Sequence, residues 1–308
     1  MSQLHSQVAT EQIDPDRRLV VIQRNPTSGS GRGRHDLTAL IRSLKSHNLQ
    51  VRLFASRERL DEYVRDPSIA PRIRCLVAAG GDGTIGSLVN RHADFPVATL
   101  PLGTENLVAR YLKIGRRGDR LAHLIQRGFI RHFDTGLVNA QSFLLMTSVG
   151  VDADVVRRLD AVRTGNIHHL SYVKHILQSL RRYEYPLLSV FDADGKLLGQ
   201  GTHVIATNIP QYGFGIPFAP SANPFDGQLD VRIFRQQGTF RTAWHAVRTR
   251  LHLADRDQDV VRFAARAIRV ESDLPQTPAQ CDGDPAANCP LDIQLVPSSM
   301  TLVVPEKL

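Results

Sequence analysis

Cysteine, aromatic residues and long apolar runs are all scarce in this 308-residue chain, and each scarcity removes a class of protein. The three cysteines, Cys75, Cys281 and Cys289, are widely separated. They form neither a disulfide framework nor a metal-binding spacing, and point to reduced thiols in the cytoplasm. Aromatics make up 6% of the residues. No recognition helix, zinc finger or stacking-aromatic pattern accompanies them, so nucleic acid is not an expected partner. No apolar run reaches the roughly 18 residues needed to span a bilayer. Met1 to Arg18 is polar and lacks the apolar core of a signal peptide, so export is not expected. What remains, 42% hydrophobic and 22% charged, is the composition of a soluble globular protein with two ordinary domains or one large one. The net charge of +8 comes mostly from arginine, in pairs such as Arg116-Arg117, Arg157-Arg158 and Arg181-Arg182. Such a surface is either merely solvated or attracts anionic lipid headgroups.

Two rhythms divide the chain. Leu19-Val20-Val21-Ile22 is a continuous apolar run suited to a buried parallel strand. A helix is predicted from about Asp36 to Ser46, with Leu37, Leu40, Ile41 and Leu44 on one face. Val51–Phe54 reads as a strand, Glu58–Arg65 as a helix, 75–79 as a strand, Ile85 to about Arg91 as a helix and Val97–Leu100 as a strand. Alternation with short loops predicts an open, mostly parallel sheet covered by helices. After about residue 135, short strands separated by Gly, Pro, Asn or Asp predict an antiparallel sandwich or barrel. They are read at Phe143–Met146, Leu187–Phe191, His203–Ala206, Leu229–Phe234, Ala267–Val270, Leu291–Leu295 and Thr301–Val304. Helices at about Asp152–Tyr183 and Thr239–Leu253 interrupt them. The expected domains are 16–136, with 297–308 a candidate to return to it, and 137–296.

Three polar turns fall beyond the carboxyl ends of the first domain's strands, where open parallel sheets bind ligands. Gly80-Gly81-Asp82-Gly83-Thr84 joins a strand to a helix. Its glycines let backbone approach a phosphate chain, and the amides that open the helix face the anion. Asp82 is unsuited to touching phosphate, and either binds a metal or holds the turn. Asn25-Pro26-Thr27-Ser28-Gly29 offers hydroxyls and amides, and no Gly-Lys-Ser/Thr follows, so it is not a Walker loop. Gly103-Thr104 opens a further helix, with Thr104 either its cap or a phosphate contact.

Together, Asn-Pro-x-Ser-Gly, Gly-Gly-Asp-Gly-Thr and Pro-Leu-Gly-Thr-x-Asn resemble the diacylglycerol kinase catalytic domain, above all the soluble bacterial lipid kinases related to sphingosine kinases. Phe218-Ala219-Pro220, Asp226-Gly227-Gln228-Leu229-Asp230-Val231 and Gln280-Cys281-Asp282-Gly283-Asp284 extend the resemblance over residues 18–305. It implies an N-terminal Rossmann-like α/β domain and a C-terminal antiparallel β-sandwich or barrel-like domain with helices. It also implies ATP bound between them and a lipid hydroxyl such as that of diacylglycerol as acceptor. Asn25 to Gly29, Gly80 to Thr84 and Thr104 are then nucleotide contacts. Asp226, with backbone carbonyls near Asn223 and Gln228, matches the family's Mg²⁺ position, although Asp226-Gly227 also suits a hairpin turn. Asp284 occupies the place of the proton-accepting Glu, and Asp282, two residues away on the same strand face, holds a metal or steers it.

Several residues depart from the family pattern. Asp284 is one methylene shorter than Glu. Glu105 and Leu107 stand where relatives commonly carry Gly, Ala or Thr and then Asp, and Gly86-Ser87 replace a frequent Asn-Glu pair. The alternatives are an NAD kinase, which shares the Gly-Gly-Asp-Gly turn, or a non-catalytic nucleotide- or lipid-binding regulator. A homodimer and a peripheral place on the inner membrane face are both compatible with the sequence.

Overall fold

A computed structural model describes residues 11–26, 33–161, 183–212, 216–235 and 258–307. The chain divides into two compact units, Met1–Phe133 with Ser299–Leu308, and Asp134–Ser298. The strand Phe129–Val138 leads out of the first unit, and the long strand Leu291–Val303 leads back into it. The sequence reads that strand as two, at 291–295 and 301–304. Pro297, Ser298 and Ser299 break the apolar pattern between them, and the one strand Leu291–Val303 bends there, with Ser298 in the left-handed region at φ 50°.

In the first unit, the strands Gln50–Phe54, Leu19–Arg24, Ile73–Gly80 and Val97–Pro101 lie side by side and parallel. The end of Leu291–Val303 extends the sheet beside Val97. The central strands are apolar without alternation because both faces are covered: Val20, Val21, Ile22, Leu76 and Val77 are all fully buried. Helix Arg34–Ser46 buries Leu37, Leu40 and Leu44 and packs against helix Gly118–Arg127, while Ile41 is only partly buried. Ser56 caps the helix Arg57–Arg65 by accepting from the Arg59 amide at 3.2 Å.

In the second unit, a six-stranded antiparallel sheet runs in the order Val260–Ala265, Leu229–Phe234, His203–Thr207, Met146–Val149, Pro278–Cys281 and Asp284–Asn288. Leu197–Gly201, Leu188–Phe191, Ala267–Ser272 and the start of Leu291–Val303 pair antiparallel in that order. Val149, Val204, Val231 and Ile233 from the six strands share one core with Val190, Ile268, Val270 and Ile293. The unit is therefore a sandwich.

Two expected elements differ. Phe143–Met146 is not one strand, since Gln141–Phe143 and Met146–Val149 are separated at Leu144-Leu145. Helix Val151–Ala161 begins the stretch read as 152–183, of which 162–182 lie outside the described residues and Tyr183 is not helical, and 239–253 lie outside them too.

Candidate functional site

The Gly-rich turn is tighter than its sequence suggests. The helix begins at Asp82, three residues before the expected Ile85, so Gly83 and Thr84 lie in its first turn. Gly81 is extended at its start, and among the described residues a Cβ added to Gly83 would meet nothing within 4 Å, so these residues leave the space over the helix start open. The amides of a helix start have no intrahelical partners, which makes this opening attractive to an anion.

The third turn leans directly on the second. Gly80 O accepts from the amides of Leu102 at 2.9 Å and Gly103 at 3.3 Å. A Cβ on Gly103 would stand 2.6 Å from Gly81 Cα and 3.1 Å from Gly81 N, so only glycine permits this contact. Asn106, in the left-handed region at φ 51°, accepts from the Gly103 amide at 2.9 Å and donates back to Gly103 O at 2.7 Å. The cap of the following helix, Leu107–Tyr111, is a correction to the sequence reading. Thr104 is exposed and does not cap it. Asp82 does, its two carboxylate oxygens accepting from Leu107 N at 2.9 Å and Val108 N at 3.0 Å. Burial is the main cause that raises the Asp82 pKa, opposed by those two amides and assisted by the charge of Glu105. Asp82 thus holds the turn.

Gly103→Ala is expected to force the two turns apart and lower stability by about 1–3 kcal/mol. Thermal denaturation checks it, and an unchanged midpoint would show that the glycine contact is dispensable. Asn25 belongs to the same sheet edge, its amide donating to Ala79 O at 3.1 Å, with Pro26 after it. Thr27, Ser28 and Gly29 lie outside the described residues.

In the second unit, Asp282 and Asp284 do not share a strand face. Asp282-Gly283 is the two-residue turn between Pro278–Cys281 and Asp284–Asn288, with φ of 53° and 87°. Asp-Gly in that double left-handed conformation is a favoured hairpin turn. The Asp282 carboxylate reaches across to a neighbouring bend. It accepts from the amides of Leu144 at 2.7 Å, Leu145 at 2.8 Å and Met146 at 3.0 Å. Those bonds are why the expected strand at 143–146 is interrupted. Asp284 follows the turn, solvent-exposed, opposite Cys281 in the register. Cys281 itself is buried, its thiol pushed up to about 12 by desolvation, which leaves it unreactive at neutral pH.

A row of hydrogen bonds stands behind the turn, and of its members the sequence motif named only Gln280 and Gly283. Gly283 N donates to Gln280 Oε1 at 2.8 Å, and Gln280 Nε2 donates to Ser148 Oγ at 2.8 Å. Ser148 Oγ donates to Asp152 at 2.5 Å, and Asp152 also meets His203 Nε2 at 2.9 Å. No motif links these residues, because they come from three strands and a helix.

Asp226 sits in a loop whose turns use the same atoms that sequence assigned to a metal. Its amide donates to Asn223 O at 3.3 Å, and Gln228 N donates to Asp226 Oδ1 at 3.0 Å. Asp134, missed by sequence because no motif surrounds it, is buried and accepts from Gly227 N at 2.9 Å and Ser298 N at 2.8 Å. Ser221 hydrogen-bonds Asp230. Desolvation first, then the charges of Asp230 and Asp134, raise the Asp226 pKa. The charges of Asp230 and Asp134 both act on Asp226, an environment that a divalent cation would relieve. Among the described residues, no group of three or more His, Cys, Asp or Glu side chains is arranged as a metal cage. Mg²⁺ does not require one, since it keeps waters and uses one or two carboxylates, so the residues fit.

Known proteins match this arrangement along its length. The diacylglycerol kinase catalytic domain matches residues 18–138, and the YegS C-terminal NAD kinase beta sandwich-like domain matches residues 146–304. A diacylglycerol kinase of Mycobacterium tuberculosis is 23% identical over 296 residues, covering 91% of this chain and 93% of that protein. An uncharacterized protein of Synechocystis sp. is 23% identical over 307 residues, covering 91% of this chain and 69% of that one. A solved diacylglycerol kinase structure from Bacillus anthracis superimposes with a TM-score of 0.71 at 22% identity, covering 94% of this chain and 98% of that one. The fold and the pair of domains define a kinase, a phosphotransferase. The chain belongs to the diacylglycerol kinase catalytic-domain family, with a YegS-type second domain.

Proposed function

We propose that this protein is an ATP- and Mg²⁺-dependent lipid kinase that transfers the γ-phosphoryl group to a lipid hydroxyl such as that of diacylglycerol. The observation that carries the reading is the open helix start at Asp82, built from two glycine turns held backbone to backbone. The amides that open this helix suit the nucleotide's phosphates, and we read Gly81, Gly83 and Thr84 as the contacts, together with Asn25–Gly29 and Thr104. Asp284 takes the proton of the acceptor hydroxyl as its oxygen bonds the γ-phosphorus and the bond from that phosphorus to the β–γ bridging oxygen breaks, releasing ADP. Asp282 is its positioning residue, fixing the turn from which Asp284 projects. Asp226, with carbonyl oxygens at Asn223 and Gln228, would hold Mg²⁺. That ion, when bound, supplies neutralisation of phosphate charge.

The acceptor side rests on the family and on charge. A chain of net charge +8 is drawn to anionic vesicles, which suits an enzyme that meets its lipid at a membrane surface. No helix among the described residues is long and apolar enough to cross a membrane. We place the protein in the cytoplasm, peripheral to the membrane face, with a homodimer as an assembly open to test by sedimentation.

The test is incubation with γ-labelled ATP, Mg²⁺ and a panel of dispersed lipids, with NAD as a separate acceptor. Label in one lipid class supports the reading. Label in NAD would replace it with an NAD kinase, and ATP binding without any transfer would replace it with a regulator.

A further inference from the structure

The bend at Leu144-Leu145 interrupts the strands on either side of it, and two residues supply the partners that a strand would have found. Its amides, with that of Met146, donate to the Asp282 carboxylate. Its carbonyls are taken by Asn208. The Asn208 backbone amide donates to Leu145 O at 2.8 Å, and the side-chain Nδ2 donates to Leu144 O at 2.9 Å. The same Nδ2 donates to Asp134 O at 2.8 Å. Asn208 is fully buried and directly follows strand His203–Thr207, where the pairing of Thr207 with Met146 carries it against the bend.

Each carbonyl bound by that nitrogen leads to a carboxylate the chemistry needs. Asp134 accepts from Gly227 N at 2.9 Å and so holds the turn that follows Asp226. The bend holds Asp282, whose own amide donates to Met146 O at 3.0 Å, and Asp282 sets the turn before Asp284. One path therefore runs from Asp226 and Gly227 through Asp134, Asn208 and the bend to Asp282 and Asp284, all within the second unit. The orientation of the Asn208 amide serves this path. One nitrogen offers two donors and both are used, while Oδ1 is sealed from solvent and meets no donor among the described residues. Turning the amide over would set that oxygen against two carbonyl oxygens. A buried acceptor without a partner costs stability. A core-filling Leu would avoid that cost, but it would leave the carbonyls of Asp134 and Leu144 unbound.

We propose that Asn208 is a positioning residue for phosphoryl transfer, fixing the separation between the Asp226 loop and the Asp284 turn. The proton acceptor and the phosphate-neutralising side are then held in one aligned geometry, on which the reaction depends. The inference rests on the reading of Asp284 as proton acceptor and Asp226 as the metal side. It adds a residue that stands outside every motif of the sequence and touches no reacting atom.

Kinetics and ATP binding of Asn208→Ala, Asp284→Asn and the double variant test it. Asn208→Ala should lower kcat about a hundredfold, the cost of misplacing reacting groups by about 1 Å. Its ATP Kd should stay within about twofold of the unsubstituted value. In the Asp284→Asn background the same substitution should cost less than about threefold, because a base already removed cannot be misplaced again. Ile268→Ala, which weakens the core of the same sandwich, should keep its kcat and so controls for stability. Losses that multiply in the double variant would overturn the inference and leave Asn208 a structural residue. So would an unchanged kcat in Asn208→Ala. An NMR titration of the unsubstituted protein with Mg²⁺ alone needs neither a folded variant nor activity. The amide signals of Gly227 and of Leu144, Leu145 and Met146 should shift together with one midpoint. A shift at Gly227 with silence at the bend would overturn the inference, and silence at both would overturn the metal reading on which it rests.

Discussion

Asp284→Asn is expected to lower lipid phosphorylation by about a hundred- to ten-thousandfold, the range for removal of a general base. The substitution keeps the size and polarity of the side chain and removes its ability to take a proton. Asp284 is exposed and lies just beyond the Asp282-Gly283 turn, so the change leaves the sheet's packing untouched. ATP affinity and thermal midpoint should therefore stay close to those of the unsubstituted protein. That split, turnover lost with binding kept, is the signature of an interaction made only in the transition state. A variant with full turnover would remove Asp284 from the mechanism. One with lost turnover and lost folding would make it structural.

Asp282→Ala should act in the opposite way. Three backbone amides, of Leu144, Leu145 and Met146, lose their common acceptor at once. Hydrogen bonds to a charged group are the stronger kind, and unpaired donors add their own desolvation penalty, so stability should fall by about 3–5 kcal/mol. Denaturant unfolding measures it. Asp282→Asn should lie between, because one amide oxygen still accepts while the amide nitrogen faces the donors. Activity in Asp282→Ala should fall as well, since the turn before Asp284 is no longer pinned. A fully stable Asp282→Ala protein would show that the three bonds contribute little. If it also kept activity, Asp282 would have no positioning role.

The contrast between these two residues shows what the sequence could and could not convey. Two carboxylates two residues apart suggest one strand face, and that inference fails because Asp282 adopts φ 53°. Only a neighbouring Gly283 hints at the turn, and the partners of Asp282 lie about 140 residues earlier in the chain. The same holds for Asp82. Its motif indicated a strand-to-helix turn, and the apolar run before it a buried parallel strand, both of which depend on local pattern. That its carboxylate caps helix Leu107–Tyr111 depends on a contact across 25 positions and on the glycine-to-glycine approach of Gly81 and Gly103. The strands of the parallel sheet were legible from unbroken apolar runs such as Leu19–Ile22. Asp284–Asn288 and Leu197–Gly201 were not, because both are short, partly exposed and carry no apolar alternation.

Ser148, Asp152 and His203, which Gln280 reaches through hydrogen bonds, were hidden for a related reason. Each is an ordinary polar residue in its own segment, and it takes the pairing of Met146–Val149 with both Pro278–Cys281 and His203–Thr207, and the helix start at Val151, to bring them together. Glu105 was visible as a departure from the family pattern. The burial of its Oε2 without a donor among the described residues was not.

The central claim is phosphoryl transfer to a lipid hydroxyl, and a competition assay tests it most directly. The protein is given γ-labelled ATP and Mg²⁺ with diacylglycerol in anionic vesicles and NAD in the same tube. The expected result is label in the lipid, none in NAD, and near-complete loss of lipid label with Asp284→Asn. Label in NAD alone, or lipid label undiminished by Asp284→Asn, would contradict the account.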